Sequence, residues 1–96
     1  MVFCVCVLES AADSKRYVGS TNNLKRRLAE HQDGLVFSTK YRKPLKLVYF
    51  EGCTEERDAR RREQYLKSTK GRRFLAKRLM EYYRKKQKLI GTIGTL

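Results

Sequence analysis

The longest apolar run in this chain of 96 residues is Val2 to Leu8, VFCVCVL. A run of that length is far short of the roughly 20 residues that cross a bilayer. It is apolar at odd and even positions alike, with β-branched residues at alternate places. Side chains along a strand point to opposite faces in turn, so this pattern suits a central strand covered on both sides. The chain length allows one domain with a single modest core.

The remaining segments supply the cover. Glu9 to Lys15 is turn-like and Arg16 to Gly19 is a short second strand, close enough in sequence to form an antiparallel hairpin. Thr21 and Asn22 offer N-caps to a helix over Leu24 to Gln32, which Asp33-Gly34 ends. Residues 35–44 form a loop in which Pro44 bars helix. Lys46 to Glu51 reads as a third strand. Thr54, with Glu55 and Glu56, caps a helix running to about Ser68. Gly71 breaks the pattern, and a last helix runs from Arg72 to about Lys86 with Phe74, Leu75, Leu79 and Tyr82 or Tyr83 on its packed side. The order β-β-α-β-α-α implies an α+β fold, a small three-stranded antiparallel sheet flanked by helices. The domain occupies residues 1–86. Residues 87–96 form a tail whose LIGTIGTL sequence is apolar but broken by glycine, and it adds a strand, covers a bare face or stays mobile.

Charge narrows the partner. Lys and Arg number 23 against 10 Asp and Glu, a formal net charge of +13. Residues 1–50 carry 9 basic and 4 acidic side chains and residues 51–96 carry 14 and 6, so the excess runs through the folded body. Such a domain collects polyanions, and nucleic acid is the leading one. No amphipathic helix with a large exposed apolar face points to a membrane surface. The start of the chain lacks the basic flank and cleavage site of a signal peptide. Cys4, Cys6 and Cys53 are therefore expected as reduced thiols in a cytoplasmic setting. A zinc site from these three and His31 lacks the usual close-pair spacing.

Four polar residues fall where packing should win. At 100° per residue from Leu24, Leu28 lies at about 40°, Arg27 near −60° and His31 near −20°, so both flank the inward stripe. From Ala59, Leu66 lies near −20° and Glu63 near 40°, which puts a carboxylate on the apolar side of its helix. On the hairpin, Tyr17 and Gly19 share a face, and Gly19 leaves space beside the phenol. Taken singly, these are a boundary arginine, a half-buried histidine, a salt-bridge glutamate and a packed tyrosine. Together they are the groups that phosphodiester hydrolysis uses: positive charge for the transition state, a carboxylate for a hard cation, and a group to take a proton from water.

The sequence resembles the GIY-YIG endonuclease family, in particular its compact single-domain members, over roughly residues 2 to 82. Tyr17-Val18-Gly19 matches the YIG half, with Ser20-Thr21 following. NLKRRLAEH (Asn23 to His31), STKYRKPLKLVYFE (Ser38 to Glu51) and DARRREQYLKSTKG (Asp58 to Gly71) match in the same order. The resemblance implies a metal-dependent DNA endonuclease acting on branched, nicked or single-stranded forms, with RNA left open. It implies one Mg²⁺ or Mn²⁺ on Glu63, Tyr17 as base or positioner of the water, Arg27 stabilising the transition state, and His31 orienting or relaying a proton. The GIY half falls at Cys4-Val5-Cys6, so cysteine stands where that motif has tyrosine, and a binding module of the same fold with weak or no activity is the alternative. An asparagine found late in some members has no counterpart. Candidate phosphate contacts are Arg26, Lys40, Arg42, Lys43, Lys67, Lys70, Arg72 and Arg73, with Tyr41 as a surface for a splayed base.

Overall fold

Val5 and Val7 are fully buried on one side of the first strand, and Cys6 and Leu8 almost fully on the other, as its two-sided apolar pattern requires. The computed structural model describes residues 1–94, with side chains through Gln87. Strand β1 (Phe3–Ser10) lies between β2 (Arg16–Thr21) and β3 (Leu45–Cys53) in a three-stranded antiparallel sheet of order β2-β1-β3. The expected turn begins later than its composition implied. Glu9 and Ser10 belong to β1 and are buried. A bulge at Val48 shifts the β1–β3 register between Val7 and Leu8.

Helix α1 (Leu24–Gln32) follows β2; α2 (Glu56–Lys67), α3 (Thr69–Arg78) and α4 (Met80–Gly94) follow β3. Val5 and Val7 pack against Ala59, Leu66, Leu75 and Leu79 of the later helices and their junction, which form the main core. Phe74, Tyr82 and Tyr83 close its margin. Among the described residues no helix is long and apolar enough to cross a membrane.

Helix ends depart from the sequence reading in four places. The N-cap of α1 is Asn23, whose side chain accepts from Arg26 N at 3.0 Å, while Thr21 accepts from Asn23 N at 3.1 Å in a turn just outside. The N-cap of α2 is Glu55, without a side-chain cap bond, and not Thr54; Glu56 and Asp58 supply negative charge to the first turn. Gly71 ends nothing. It lies inside α3, buried, because a Cβ there would meet Tyr65 O at 2.0 Å and Leu66 Cα at 2.5 Å. Ser68 makes the α2–α3 corner, closing one helix and accepting from Gly71 N at 3.2 Å to cap the next. The single last helix is two helices divided at Leu79, and α4 carries through Gly94 of the tail; residues 95 and 96 lie outside the described residues.

Two buried or half-buried carboxylates tie helices to strands. Glu9, 4% exposed, accepts from Tyr82 Oη at 2.9 Å, Tyr83 Oη at 3.1 Å and Lys86 Nζ, which fixes α4 to the end of β1. Burial alone would push its carboxyl up, but the Lys86, Tyr82 and Tyr83 bonds outweigh it and hold the group below its ordinary 4.5. The Tyr82 phenol is pushed up to about 12 by burial and by its bond to Glu9. Glu51 of β3 accepts from Arg62 Nε at 2.6 Å and from Tyr49 Oη at 2.7 Å, and Arg62 lies 4.6 Å from the Phe74 ring centroid.

Two outcomes follow from this packing. Gly71→Ala drives a methyl group into the α2–α3 corner and should cost about 3 kcal/mol in denaturant unfolding, although alanine is the better helix former. The carboxyl of Glu9 is lower in the folded state than in the unfolded chain. The unfolded state therefore binds the proton first, and stability present above pH 4.5 is lost as pH falls through the folded value. Glu9→Gln should flatten that acid limb in unfolding curves taken at several pH values and weaken the α4 anchor at neutral pH.

Candidate nuclease site

The β1–β2 register sets the floor of the site. Cys6 opposes Gly19 and Leu8 opposes Tyr17, so these four share the sheet face away from the main core. Nothing lies within 4 Å of where a Cβ on Gly19 would stand, and the space it leaves is part of a cleft of about 760 Å³. Tyr17 lines that cleft together with Arg27 and His31 of α1, so three of the four residues singled out by periodicity meet. Lys15, Arg16, Lys67 and Arg72 also line it, and with Arg27 they give, among the described residues, five cations and no carboxylate on its walls.

His31 is 7% exposed, and its Nδ1 lies 2.7 Å from Oγ1 of Thr39, which is fully buried in the α1–β3 loop. With Thr39 as acceptor, Nδ1 carries the proton and Nε2 is left as the acceptor; with Thr39 as donor the tautomer is reversed. Burial lowers the imidazole below its usual 6.5, and the Arg27 guanidinium lowers it further against a small opposing effect of Glu30. His31 is thus neutral at neutral pH. Among the described residues Arg27 is paired with Glu30 alone, at 3.7 Å with its side chain 41% exposed, a pairing of little strength in water.

Glu63 reaches the site from the other side of β2. Ser20 Oγ donates to its Oε1 at 2.7 Å and Lys67 Nζ to its Oε2 at 2.8 Å. The carboxylate is not on the cleft wall; it joins the cleft through Lys67, which is. Burial would raise its carboxyl, yet the Lys67 and Ser20 bonds hold it below the ordinary value, so it is ionised at neutral pH. Burial pushes the Cys6 thiol up, Arg27 pulls it down, and Cys4 and Glu63 push it up, leaving a neutral thiol on the cleft floor. The charges of Arg27 and Glu63 therefore both bear on the same sulfur.

The other basic candidates divide. Lys67 and Arg72 line the cleft. Arg26 faces a second hollow of about 300 Å³ beside Ser20, Glu56 and Arg60. Arg42 pairs with Asp13 at 3.3 Å, and Lys40, Tyr41 and Lys43 stand on the same loop. Lys70 and Arg73 are exposed on α3, outside the cleft lining. Sequence reasoning missed Lys15, Arg16, Ser20 and Thr39. The Glu63–Lys67 pair was available from its i,i+4 spacing. Ser20 only follows Gly19 in the motif, with no periodicity to mark it, and the Thr39 contact depends on a loop whose path no periodicity gives.

Donor chemistry bears on a metal. Among the described residues no three His, Cys, Asp or Glu side chains cluster as a metal cage. Glu63, ionised and beside the Ser20 hydroxyl, offers hard oxygen from one carboxylate. That suits a cation such as Mg²⁺, which keeps several waters and takes one or two carboxylates.

Comparison with known proteins bears on the family and the fold. The model of the GIY-YIG catalytic domain matches residues 2–79. A UPF0213 protein of Clostridium perfringens is 45% identical over 56 residues, 57% of this chain and 60% of that one. A UPF0213 protein of Bacillus licheniformis is 41% identical over 59 residues, 60% of this chain and 61% of that one. The chain thus spans about 60% of the length of these curated relatives. The solution NMR structure of a UPF0213 protein from Bacillus halodurans superposes with a TM-score of 0.51 at 29% identity, covering 80% of this chain and 84% of the other. With the sheet order, the YVG strand and the matched span in agreement, the chain belongs to the GIY-YIG nuclease family.

Proposed function

We propose that this chain hydrolyses phosphodiester bonds in DNA with one divalent cation, Mg²⁺ or Mn²⁺, held by Glu63. The observation that carries the reading is the shared cleft of Tyr17, Arg27 and His31, bridged by Lys67 to Glu63. Five cations on its walls favour a phosphate backbone. When bound, the cation supplies positive charge that polarises the phosphate and stabilises the leaving oxygen. Arg27, loosely held by Glu30, adds charge to the non-bridging oxygens as the transition state forms. Tyr17 orients the attacking water or takes its proton, and neutral His31, fixed by Thr39, is the acceptor to which that proton passes. Ser20 and Lys67 hold the Glu63 carboxylate ionised and aimed.

A second reading rests on Cys6. A neutral, buried thiol in place of the motif's phenol removes one hydroxyl from the cleft floor, which favours a binding module that keeps the fold and has lost turnover. Both readings predict salt-sensitive binding, with a log–log slope near −5 for about six neutralised phosphates.

Cleavage separates them. On labelled single-stranded, duplex, flap and branched DNA, wild type should nick with Mg²⁺ or Mn²⁺ and not with EDTA. Glu63→Gln should abolish nicking and Arg27→Ala should slow it by about 10² to 10³-fold, with binding in EDTA retained. Equal nicking by wild type and Glu63→Gln refutes the assigned site, and metal-independent silence of wild type with binding intact selects the second reading. The His31 imidazole protonates below 6.5 in the fold, so the rate should fall on the acid side of that value as the acceptor is lost. In His31→Ala the rate should be lower throughout and that acid limb should vanish from the pH profile.

A further inference from the structure

The loop over residues 33–44 holds its backbone firmly while leaving large apolar side chains in water. Phe37 is 83% exposed and Tyr41 79%. Yet Thr39 between them is fully buried against His31, its N–H donates to Val36 O, and Arg42 N donates to Thr39 O. Ser10 Oγ donates to Arg42 O at 2.6 Å and Ala11 N to Pro44 O at 2.9 Å, tying the loop to the end of β1. The rings are therefore displayed by a fixed backbone. Lys40 Nζ lies 5.0 Å from the Phe37 ring centroid and 4.9 Å from that of Tyr41, so one ammonium stands over both. Ser38, next to Phe37 in the chain, lines the cleft.

We propose that Phe37 and Tyr41, with Lys40 between them, form a stacking platform for an unpaired nucleobase beside the phosphate that enters the cleft. The inference rests on the nuclease reading and narrows its substrate to nucleic acid with unpaired nucleotides at the cleavage point. Bases inside an uninterrupted duplex have their π faces covered by their neighbours, so only a splayed or single-stranded base offers a face to these rings. The Lys40 ammonium, already drawn to the rings, supplies the counter-charge to the adjoining phosphate. Charge complementarity decides the occupant: the apolar side chains alternate with Lys40, Arg42 and Lys43 beside a cleft whose charged walls are all cationic. Holding the rings out in advance removes an ordering cost from binding.

The test is fluorescence anisotropy in EDTA, where no cleavage intervenes, with a short single strand, a flap and a blunt duplex as probes. Phe37→Ala and Tyr41→Ala should each weaken single-strand and flap binding about tenfold and leave duplex binding unchanged. A 2-aminopurine in the single strand should be quenched by wild type and not by Phe37→Ala/Tyr41→Ala. Lys40→Met should weaken all three probes alike. Both rings are at the surface, so melting temperatures should match wild type and separate lost contact from lost fold. Equal loss on all probes from the ring variants, or no loss, overturns the platform while leaving the nuclease reading in place. Failure of wild type to bind any probe overturns both. Loss of binding to vesicles containing phosphatidylserine in Phe37→Ala, with oligonucleotide affinity unchanged, makes the patch a membrane contact and also overturns the platform.

Discussion

Because β1 carries apolar side chains on both faces, it cannot leave either face in water, and that need arranges the rest of the domain. Val5 and Val7 take the later helices as cover and make the main core. Cys6 and Leu8 are nearly as buried on the opposite face, where they form the floor of the cleft with Tyr17 and Gly19 across the strand pair. A shift of one residue in the β1–β2 register would exchange the two sets and place the Tyr17 phenol in the hydrophobic core. Register on this hairpin is thus both a packing decision and a decision about chemistry.

In a chain with 23 basic side chains, the ten carboxylates are scarce, and three of them do structural work at separate joints. Glu9 fixes α4 to β1, Glu51 fixes Arg62 of α2 to β3, and Glu63 joins α2 to Ser20 of β2. Each has hydrogen-bonding partners that offset the cost of burial and keep it ionised. The Glu63 joint differs in its neighbourhood, since its second partner, Lys67, belongs to the wall of the cationic cleft. An anion that draws Lys67 toward itself changes the environment of the Glu63 carboxylate directly.

Most of the framework was legible because it follows from short-range rules. An unbroken apolar run gave β1, strand alternation gave the Tyr17–Gly19 face, and a 100° turn gave the inward flanks of Arg27, His31 and Glu63. What escaped needed contacts far apart in sequence. Gly71 reads as a helix breaker by propensity, yet it is required inside α3 because the end of α2 passes too close for a Cβ. Glu9 reads as turn by composition, yet Tyr82, Tyr83 and Lys86, more than 70 positions on, make it a buried strand end. Thr39, between Ser38 and Lys40, gave no sign that it would be buried against His31.

The place of Cys6 shows how the site's proton chemistry is distributed. A thiol kept neutral by burial donates only a weak hydrogen bond, so the floor of the cleft has no strong donor or base at that point. Under the hydrolytic reading, proton handling then falls to Tyr17 from β2 and His31 from α1, which approach the cleft from different elements. His31 owes its position to Thr39, and Thr39 owes its own to the bonds that bind the loop to β1. The same loop displays Phe37 and Tyr41 outward. Under the two proposals its rigidity serves two ends at once, fixing His31 through Thr39 on its inner side and displaying Phe37 and Tyr41 on its outer side.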